Sequence, residues 1–112
     1  WDEDRKVDIA RIANATAKLL ECDLELSPSD ILSSDEYIGD RYGVLTQEGR
    51  DALKLVAETE GIFLDPVYTS KAMAGMIDQI RKGIITKNET VVFIHTGGLP
   101  ALFAYAEDLM LS

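Results

Sequence analysis

Cysteine, histidine and proline are scarce in this sequence of 112 residues, and it has no long apolar run. The single cysteine, Cys22, excludes an internal disulfide and is typical of a reducing compartment, so we expect a cytoplasmic protein. No cluster of His, Cys and Asp has the spacing of metal ligands, so we predict no metal site. The apolar run at residues 91–94 (VVFI) is much too short to cross a bilayer.

Positive charge is also scarce. The sequence has 11 Lys and Arg against 20 Asp and Glu, and its net charge is −9. Such a surface repels phosphate backbones and anionic lipids, so we expect neither nucleic acid nor membrane as a partner. The 46% apolar content and the length are typical of one domain, residues 1–112, or a piece of one. The opening residues, WDED, do not form a secretory signal and lack an initiator Met, which indicates a tagged, processed or truncated chain.

Helical periodicity is clear in three segments, residues 5–21, 47–60 and 70–82. Thr46 is placed to cap the second of these helices and Gly61 to end it, and Gly83 is placed to end the third. The side chains expected to face inward are Ile9, Ile12, Ala13, Thr16, Leu19 and Leu20 in the first helix, Ala52, Leu55, Val56 and Thr59 in the second, and Met73, Met76, Ile77 and Ile80 in the third.

Strand patterns alternate with these helices. Residues 62–64 read as a short buried strand, and residues 90–95 (TVVFIH) as a strand buried on both faces. A brief strand is also possible within residues 30–38, after turn chemistry at residues 27–30 (SPSD). A last helix is predicted to start at Pro100 and to continue through Leu109. Helices alternating with strands predict an α/β fold with a parallel sheet.

Polar residues and glycines follow both predicted strands, where open α/β sheets collect their ligands. The first strand is followed by Tyr68 and Thr69, and the second by Thr96 and a glycine pair. Each residue has an ordinary interpretation when taken singly. Thr69 reads as a helix cap, Tyr42 and Tyr68 as packing residues, and His95 as a structural histidine. The residues alone favour these ordinary interpretations.

Longer stretches of the chain resemble a known family. The segments DPVYTSKAMAGMIDQIRKG and VVFIHTGGLPALFAY, preceded by YIGDRYGVLTQEGRDALKLVAETEGIFLDPVY, are similar to the C-terminal part of the D-cysteine desulfhydrase and 1-aminocyclopropane-1-carboxylate (ACC) deaminase family. These are pyridoxal-phosphate enzymes of the tryptophan-synthase-β type, fold type II. The resemblance implies a helix-rich C-terminal segment of a three-layer large domain with a parallel sheet. One departure is Asp40-Arg41, where the family usually has Pro-Gly before the loop tyrosine.

The resemblance implies roles for seven residues. Tyr42 and Tyr68 match the family's two active-site tyrosines, and Thr69 matches the position beside the pyridine nitrogen of the cofactor. By the same resemblance, the turn after the second strand lies next to the pyridine ring of the cofactor. The residues of this turn are His95, Thr96, Gly97 and Gly98. The ACC deaminases carry Glu and Leu at the two threonine positions, whereas the desulfhydrases carry Ser or Thr, and Thr. The pair Thr69 and Thr96 therefore resembles the desulfhydrase branch.

This branch is associated with β-elimination from D-cysteine, which gives pyruvate, ammonia and sulfide. A carboxylate beside the pyridine nitrogen would keep it protonated, whereas a threonine leaves the ring a weaker electron sink. Two alternatives stay open: an ACC deaminase, and a non-catalytic α/β interaction module. The family's Schiff-base lysine lies upstream of the matching motifs, and Lys71 reads as a surface residue. We therefore expect an inactive isolated chain that binds the cofactor weakly and forms a homo-oligomer to cover open strand edges.

Overall fold

The computed structural model describes the backbone of residues 3–110 and the side chains of residues 5–110. Trp1 and Asp2, where we predict no secretory signal, lie outside the described residues. Residues 3–110 form five α-helices and one short 3-10 helix, and contain no strand. None of these helices is both long enough and apolar enough to cross a membrane. The chain divides into two compact units, one ending at Asp35 and the other beginning at Glu36.

The first unit is built on helix α1, Glu3–Leu19, close to the predicted 5–21. Its buried side chains are Ala10 and Ala17, whereas the large apolar residues expected to face inward are exposed. The segment after α1 turns back onto the helix. The Asn14 side chain holds it there with two hydrogen bonds of 2.8 Å to the Leu26 backbone. The predicted inward stripe of α1 is therefore wrong in this chain. The exposed members of that stripe are Ile9, Ile12, Thr16, Leu19 and Leu20.

The predicted turn at residues 27–30 is confirmed as a 3-10 helix, Pro28–Asp30. The Asp30 carboxylate accepts hydrogen bonds of 2.7 Å from both the backbone N–H and the hydroxyl of Ser27. No strand forms within residues 30–38, so that prediction is wrong. The backbone there has no neighbouring strand to supply a ladder of hydrogen bonds, and an extended segment alone is not a stable element.

The second unit contains α2, Gln47–Glu60, with the bounds that the sequence predicts. The Thr46 hydroxyl accepts the Gly49 N–H at 3.0 Å, and Gly61 ends the helix with φ of +67°. Both end signals are local, so they are readable from the sequence. Leu55 and Thr59 are exposed, which corrects their expected inward position.

Helix α3, Thr69–Arg81, is shifted by one residue from the predicted 70–82 and packs against α2. Gly83 follows it with φ of +71°. The core lies between these two helices and consists of Ala52, Leu53, Val56, Leu64, Met73 and Ala74. Ile80 is exposed, so the inward stripe of α3 is shorter than the sequence predicts.

The last predicted helix is broken in two. Helix α4 spans Ala101–Ala104 and α5 spans Ala106–Met110, with Tyr105 between them in a non-helical conformation. The Tyr105 hydroxyl donates to the Gly43 carbonyl, a contact 62 residues distant in sequence. A long-range bond of this kind is not visible in a helical pattern, which explains why the pattern does not predict the break.

Neither of the two main predicted strands is formed. Residues 62–64 and 90–95 are irregular, and only Leu64 and Phe93 among their large apolar side chains are buried or half-buried. Val92 is 81% exposed and Ile94 is 77% exposed. The expectation of a strand buried on both faces is wrong for this chain, because a parallel sheet needs neighbours on both edges of each strand.

One glycine lies at a tight contact inside α3. A Cβ on Gly75 would be 2.9 Å from Cδ2 and 3.1 Å from Cγ of the Tyr37 ring. Gly75→Ala is therefore expected to lower the free energy of unfolding by about 1–2 kcal/mol, measured by urea titration, because the ring must move. In a Tyr37→Ala background the same change should be stabilising by up to about 1 kcal/mol through helix propensity alone. Equal effects in both backgrounds would contradict the contact.

Candidate functional site

The turn before α3 is organised by Asp65. Its carboxylate Oδ2 accepts the N–H groups of Val67 and Tyr68 at 2.8 Å, and Oδ1 accepts the N–H of Thr69 at 2.7 Å. Asp65 is 1% exposed. It therefore satisfies three backbone donors at the start of α3, a role that the sequence assigns to Thr69. An Asp-Pro pair directly before a helical pattern is the signal that could have identified it.

Thr69 is locked to the same carboxylate. Its hydroxyl accepts the Asp65 N–H at 2.7 Å and donates to Asp65 Oδ1 at 2.7 Å. Burial acts to raise the pKa of Asp65, but the hydrogen bonds from Thr69, Tyr68 and Val67 outweigh it and hold the pKa below its usual value. An ionised carboxylate only accepts, so the one hydroxyl proton of Thr69 is already donated. Thr69 is 2% exposed as a residue, and its hydroxyl oxygen keeps a single acceptor lone pair.

The two predicted tyrosines meet. The hydroxyl oxygens of Tyr42 and Tyr68 are 2.7 Å apart, and their rings are edge-to-face with centroids at 5.8 Å. Both side chains are exposed, Tyr42 at 76% and Tyr68 at 58%. The hydrogen bond with Tyr42 raises the pKa of Tyr68, and partial burial and the charge of Asp65 act in the same direction. In such a pair one phenol donates its proton to the oxygen of the other. The accepting phenol still has its own proton, which it can donate to a third group.

The turn at residues 95–98 lies against the Asp65 turn. The Gly97 N–H donates to His95 Nδ1 at 3.0 Å, so His95 Nε2 carries the ring proton and donates to the Phe63 carbonyl at 2.9 Å. Gly98 touches Asp65 so closely that a Cβ would be 2.8 Å from the Asp65 Cβ. The structure therefore brings the two predicted ligand turns together, with Asp65 contacting both Thr69 and the glycine two residues after Thr96.

Lys71 differs from its predicted surface role. Its side chain is buried, 7% exposed, and its ammonium donates to the Ile38 carbonyl at 2.6 Å. The prediction is wrong because the loop before α2 folds over the start of α3. An acceptor 33 residues earlier in the chain is not readable from local pattern.

Two cavities lie in the second unit. One, of about 660 Å³, lies between α2, α3 and the loop that contains Tyr37, and it has a mixed charged lining. The other, of about 390 Å³, is mostly apolar and includes Phe93 and His95 in its walls. Of the seven predicted site residues, only His95 lines either of these two cavities. The tyrosine pair lies outside both.

The tyrosine contact predicts a measurable titration. Tyr42→Phe is expected to lower the ionisation midpoint of Tyr68 toward that of an ordinary tyrosine, about pH 10, followed by ¹³Cζ NMR. The pKa of Tyr68 is raised in the folded protein. Its contribution to the stability of the fold is therefore complete below the ordinary tyrosine pKa, and it is lost as pH rises through the folded pKa. Phe103→Leu, at an exposed aromatic residue, serves as the control. An unchanged Tyr68 midpoint in Tyr42→Phe would contradict the contact.

Comparison with known proteins identifies the family of this chain. Residues 1–97 match the family model of pyridoxal-phosphate dependent enzymes. A solved structure described as an ACC deaminase homologue matches with 39% identity and a TM-score of 0.66. The match covers 84% of this chain and 27% of that chain. The chain therefore spans about a quarter of the length of that solved structure. The chain belongs to the family of pyridoxal-phosphate dependent enzymes.

Proposed function

We propose that this chain supplies part of the active site of a pyridoxal-phosphate dependent lyase that eliminates sulfide from D-cysteine, giving pyruvate, ammonia and sulfide. The observation that carries the proposal is the 2.7 Å contact between the hydroxyls of Tyr42 and Tyr68, a proton-handling pair exposed to solvent. Family membership supports the cofactor, and the threonines at positions 69 and 96 support the desulfhydrase branch.

The residues present fit one side of such a cofactor. Thr69 keeps one acceptor lone pair, which suits a ring N–H, and His95, Thr96 and the glycine pair lie in the neighbouring turn. Lys71 does not fit the role of a Schiff-base lysine, because its ammonium is buried against the Ile38 carbonyl. When bound, the cofactor supplies the electron sink that weakens bonds at the α-carbon of an amino acid. The residues of this chain would orient it and move protons near it.

The tyrosine pair can hold a proton close to the substrate. Tyr68 has a raised pKa, so its proton stays in place at neutral pH, and Tyr42 is its direct neighbour. When one hydroxyl donates to the other, the second is free to donate to an outgoing sulfur atom or to accept a proton from the substrate. This chemistry is needed in an elimination that releases sulfide.

Thr69 also affects how strongly the ring nitrogen of the cofactor is protonated. Its hydroxyl is neutral, and the ionised Asp65 beside it is fully occupied by three N–H groups and that hydroxyl. Asp65 therefore stabilises the helix start, and the acceptor that remains beside it is the neutral oxygen of Thr69. A neutral partner favours protonation of a ring nitrogen less than a carboxylate does, which favours elimination over ring opening.

ACC deaminase is the second candidate, and one observation favours it. The solved structure that matches at 39% identity is described as an ACC deaminase homologue. Against it stand the two threonines, where the resemblance places Glu and Leu in ring-opening enzymes. A non-catalytic interaction module is the third candidate. It would tolerate substitution at Tyr42, Tyr68, Thr69 and Thr96, which a mutational scan would measure.

A chimera tests the first candidate against the second. In it, residues 1–112 replace the matching segment of the solved homologue, and release of sulfide from D-cysteine is compared with opening of ACC. The threonine chain should act on D-cysteine, and a Thr69→Glu, Thr96→Leu variant should lose at least about tenfold of that activity. Thr59→Glu on the exposed face of α2 is the control. Preference of the unmodified chimera for ACC would refute the desulfhydrase assignment.

We also propose that the isolated chain self-associates, is inactive and works in the cytoplasm. The exposed apolar side chains of Val92 and Ile94 support association, since a second copy of the chain would remove this apolar surface from water. Light scattering that shows a monomer at all concentrations would contradict it. Turnover of D-cysteine by the isolated chain with added cofactor would contradict its inactivity.

A further inference from the structure

Tyr42 lies in a loop with no regular secondary structure, between the first unit and α2. Its side chain is 76% exposed, so packing around the ring does not hold it. Its hydroxyl nevertheless meets Tyr68 at 2.7 Å. An exposed loop residue that makes such a short contact needs its backbone to be held on both sides.

The backbone is held on both sides of Tyr42. On the N-terminal side the Lys71 ammonium donates to the Ile38 carbonyl at 2.6 Å. On the C-terminal side the Tyr105 hydroxyl donates to the Gly43 carbonyl. The two donors come from α3 and from the break between α4 and α5. Each reaches a loop carbonyl that no helix or strand would otherwise satisfy.

The start of the loop is held to α3 by a third contact. The Tyr37 hydroxyl donates to Asp78 Oδ2 at 2.6 Å, and the same oxygen lies 2.7 Å from the Lys82 ammonium. The Tyr37 ring also lies on Gly75. These contacts place the start of the loop along α3. The hydrogen-bonding side chains are exposed or half-buried, and Tyr37 lies five residues from Tyr42.

The buried charge of Lys71 is not explained by packing, because an apolar side chain would fill the same space. Its side chain is 7% exposed and its acceptor is a neutral carbonyl. Removing an ammonium from water costs free energy that one carbonyl does not fully return, and a Met or Leu would fill the same space without that cost. The bond therefore contributes loop geometry more than stability.

We propose that Lys71 and Tyr105 are positioning residues for the tyrosine pair, fixing the backbone on either side of Tyr42 so that its hydroxyl reaches Tyr68. The catalytic consequence rests on the proposed function; the geometric one does not. Tyr68 is held by the Asp65 turn, so the loop is the adjustable partner. Losing either anchor separates the two hydroxyls while the core between α2 and α3 remains.

The experiment uses the full chain with ¹³C-labelled tyrosine, without cofactor or substrate. Lys71→Met and Tyr105→Phe should each abolish the nuclear Overhauser contact between the two rings and lower the titration midpoint of Tyr68. Lys71→Arg should restore both, because it keeps a charged donor. Lys54→Met, at an exposed lysine of α2, should change neither. Far-UV circular dichroism monitors the helices in every variant.

A retained ring contact in Tyr105→Phe, or in a Lys71→Met variant that folds, would overturn the proposal. If Lys71→Met does not fold, Tyr105→Phe alone decides, because that substitution removes one hydroxyl and keeps the ring. In the chimera described above, Lys71→Met should lower kcat for D-cysteine at least about tenfold, with Lys71→Arg recovering most of it. Since the NMR test needs no turnover, its failure is distinguishable from failure of the proposed reaction.

Discussion

Asp65→Ala is expected to lower the free energy of unfolding by about 3 kcal/mol, the largest effect of any single carboxylate among the described residues. The substitution leaves three backbone N–H groups and the Thr69 hydroxyl without their acceptor. Water cannot replace it readily, because the side chain is 1% exposed. Urea unfolding followed by circular dichroism measures the loss.

Asp51→Ala is the matched control. Asp51 lies on the exposed face of α2, and its carboxylate accepts one hydrogen bond from the side chain of Gln47. The free energy of unfolding should change there by less than about 1 kcal/mol. If the two substitutions cost the same, Asp65 does not organise the start of α3.

The Asp65 effect should also depend on pH. The folded pKa lies below the ordinary value, so the stabilisation is fully present above the unfolded pKa of about 3.9 and is lost as pH falls through the folded pKa. The difference in stability between wild type and Asp65→Ala should therefore be constant at neutral pH and shrink in acid. Three other carboxylates also have a lowered pKa, and their contributions to stability cancel in this difference because both proteins contain them. They are Asp30, Asp78 and Glu89.

Gly98→Ala is expected to have an effect of similar size, a loss of about 2–4 kcal/mol in the free energy of unfolding. Its φ of +89° is strained for any residue with a Cβ, and that Cβ would be 2.8 Å from Cβ and 2.9 Å from Cγ of Asp65. Asp65 is buried and bonded on all sides, so it cannot move aside cheaply. The substitution should disturb both turns of the candidate site together.

Gly97→Ala separates the effect of backbone strain from the effect of the contact with Asp65. Gly97 has the same φ of +89°, but nothing lies within 4 Å of the position that a Cβ would occupy there. The substitution should therefore show the backbone strain alone, about 1–2 kcal/mol. Thermal unfolding of the two variants side by side measures the difference, which reports the contact with Asp65. Equal losses would mean that Gly98 does not touch that side chain.

Local signals are the ones that the sequence carries reliably. Helix α2 begins and ends where Thr46 and Gly61 place its caps, since a cap acts within four residues. Tyr42 and Tyr68 are identified by resemblance, and the structure brings their hydroxyls together across 26 residues. Their roles toward cofactor and substrate stay predictions.

The errors share a different origin. The strand patterns at residues 62–64 and 90–95 are strong, but a strand exists only when a neighbour pairs with it, and residues 3–110 supply none. The burial of Lys71 and the break at Tyr105 each depend on a carbonyl more than 30 residues away. The role of Asp65 is local by contrast, because its four hydrogen bonds reach residues two to four positions away, and the Asp-Pro pair before α3 is the signal for it.

By itself the sequence determined the three long helices to within two residues at each end, and the family to which the chain belongs, because periodicity, caps and motifs are properties of neighbouring residues. Only the tertiary structure decided that Gly98 lies against the Asp65 side chain, and that Lys71 and Tyr105 hold the loop of Tyr42. The physical reason is that hydrogen bonds and close contacts are set by distances in space, and distant segments acquire those distances only when the chain folds.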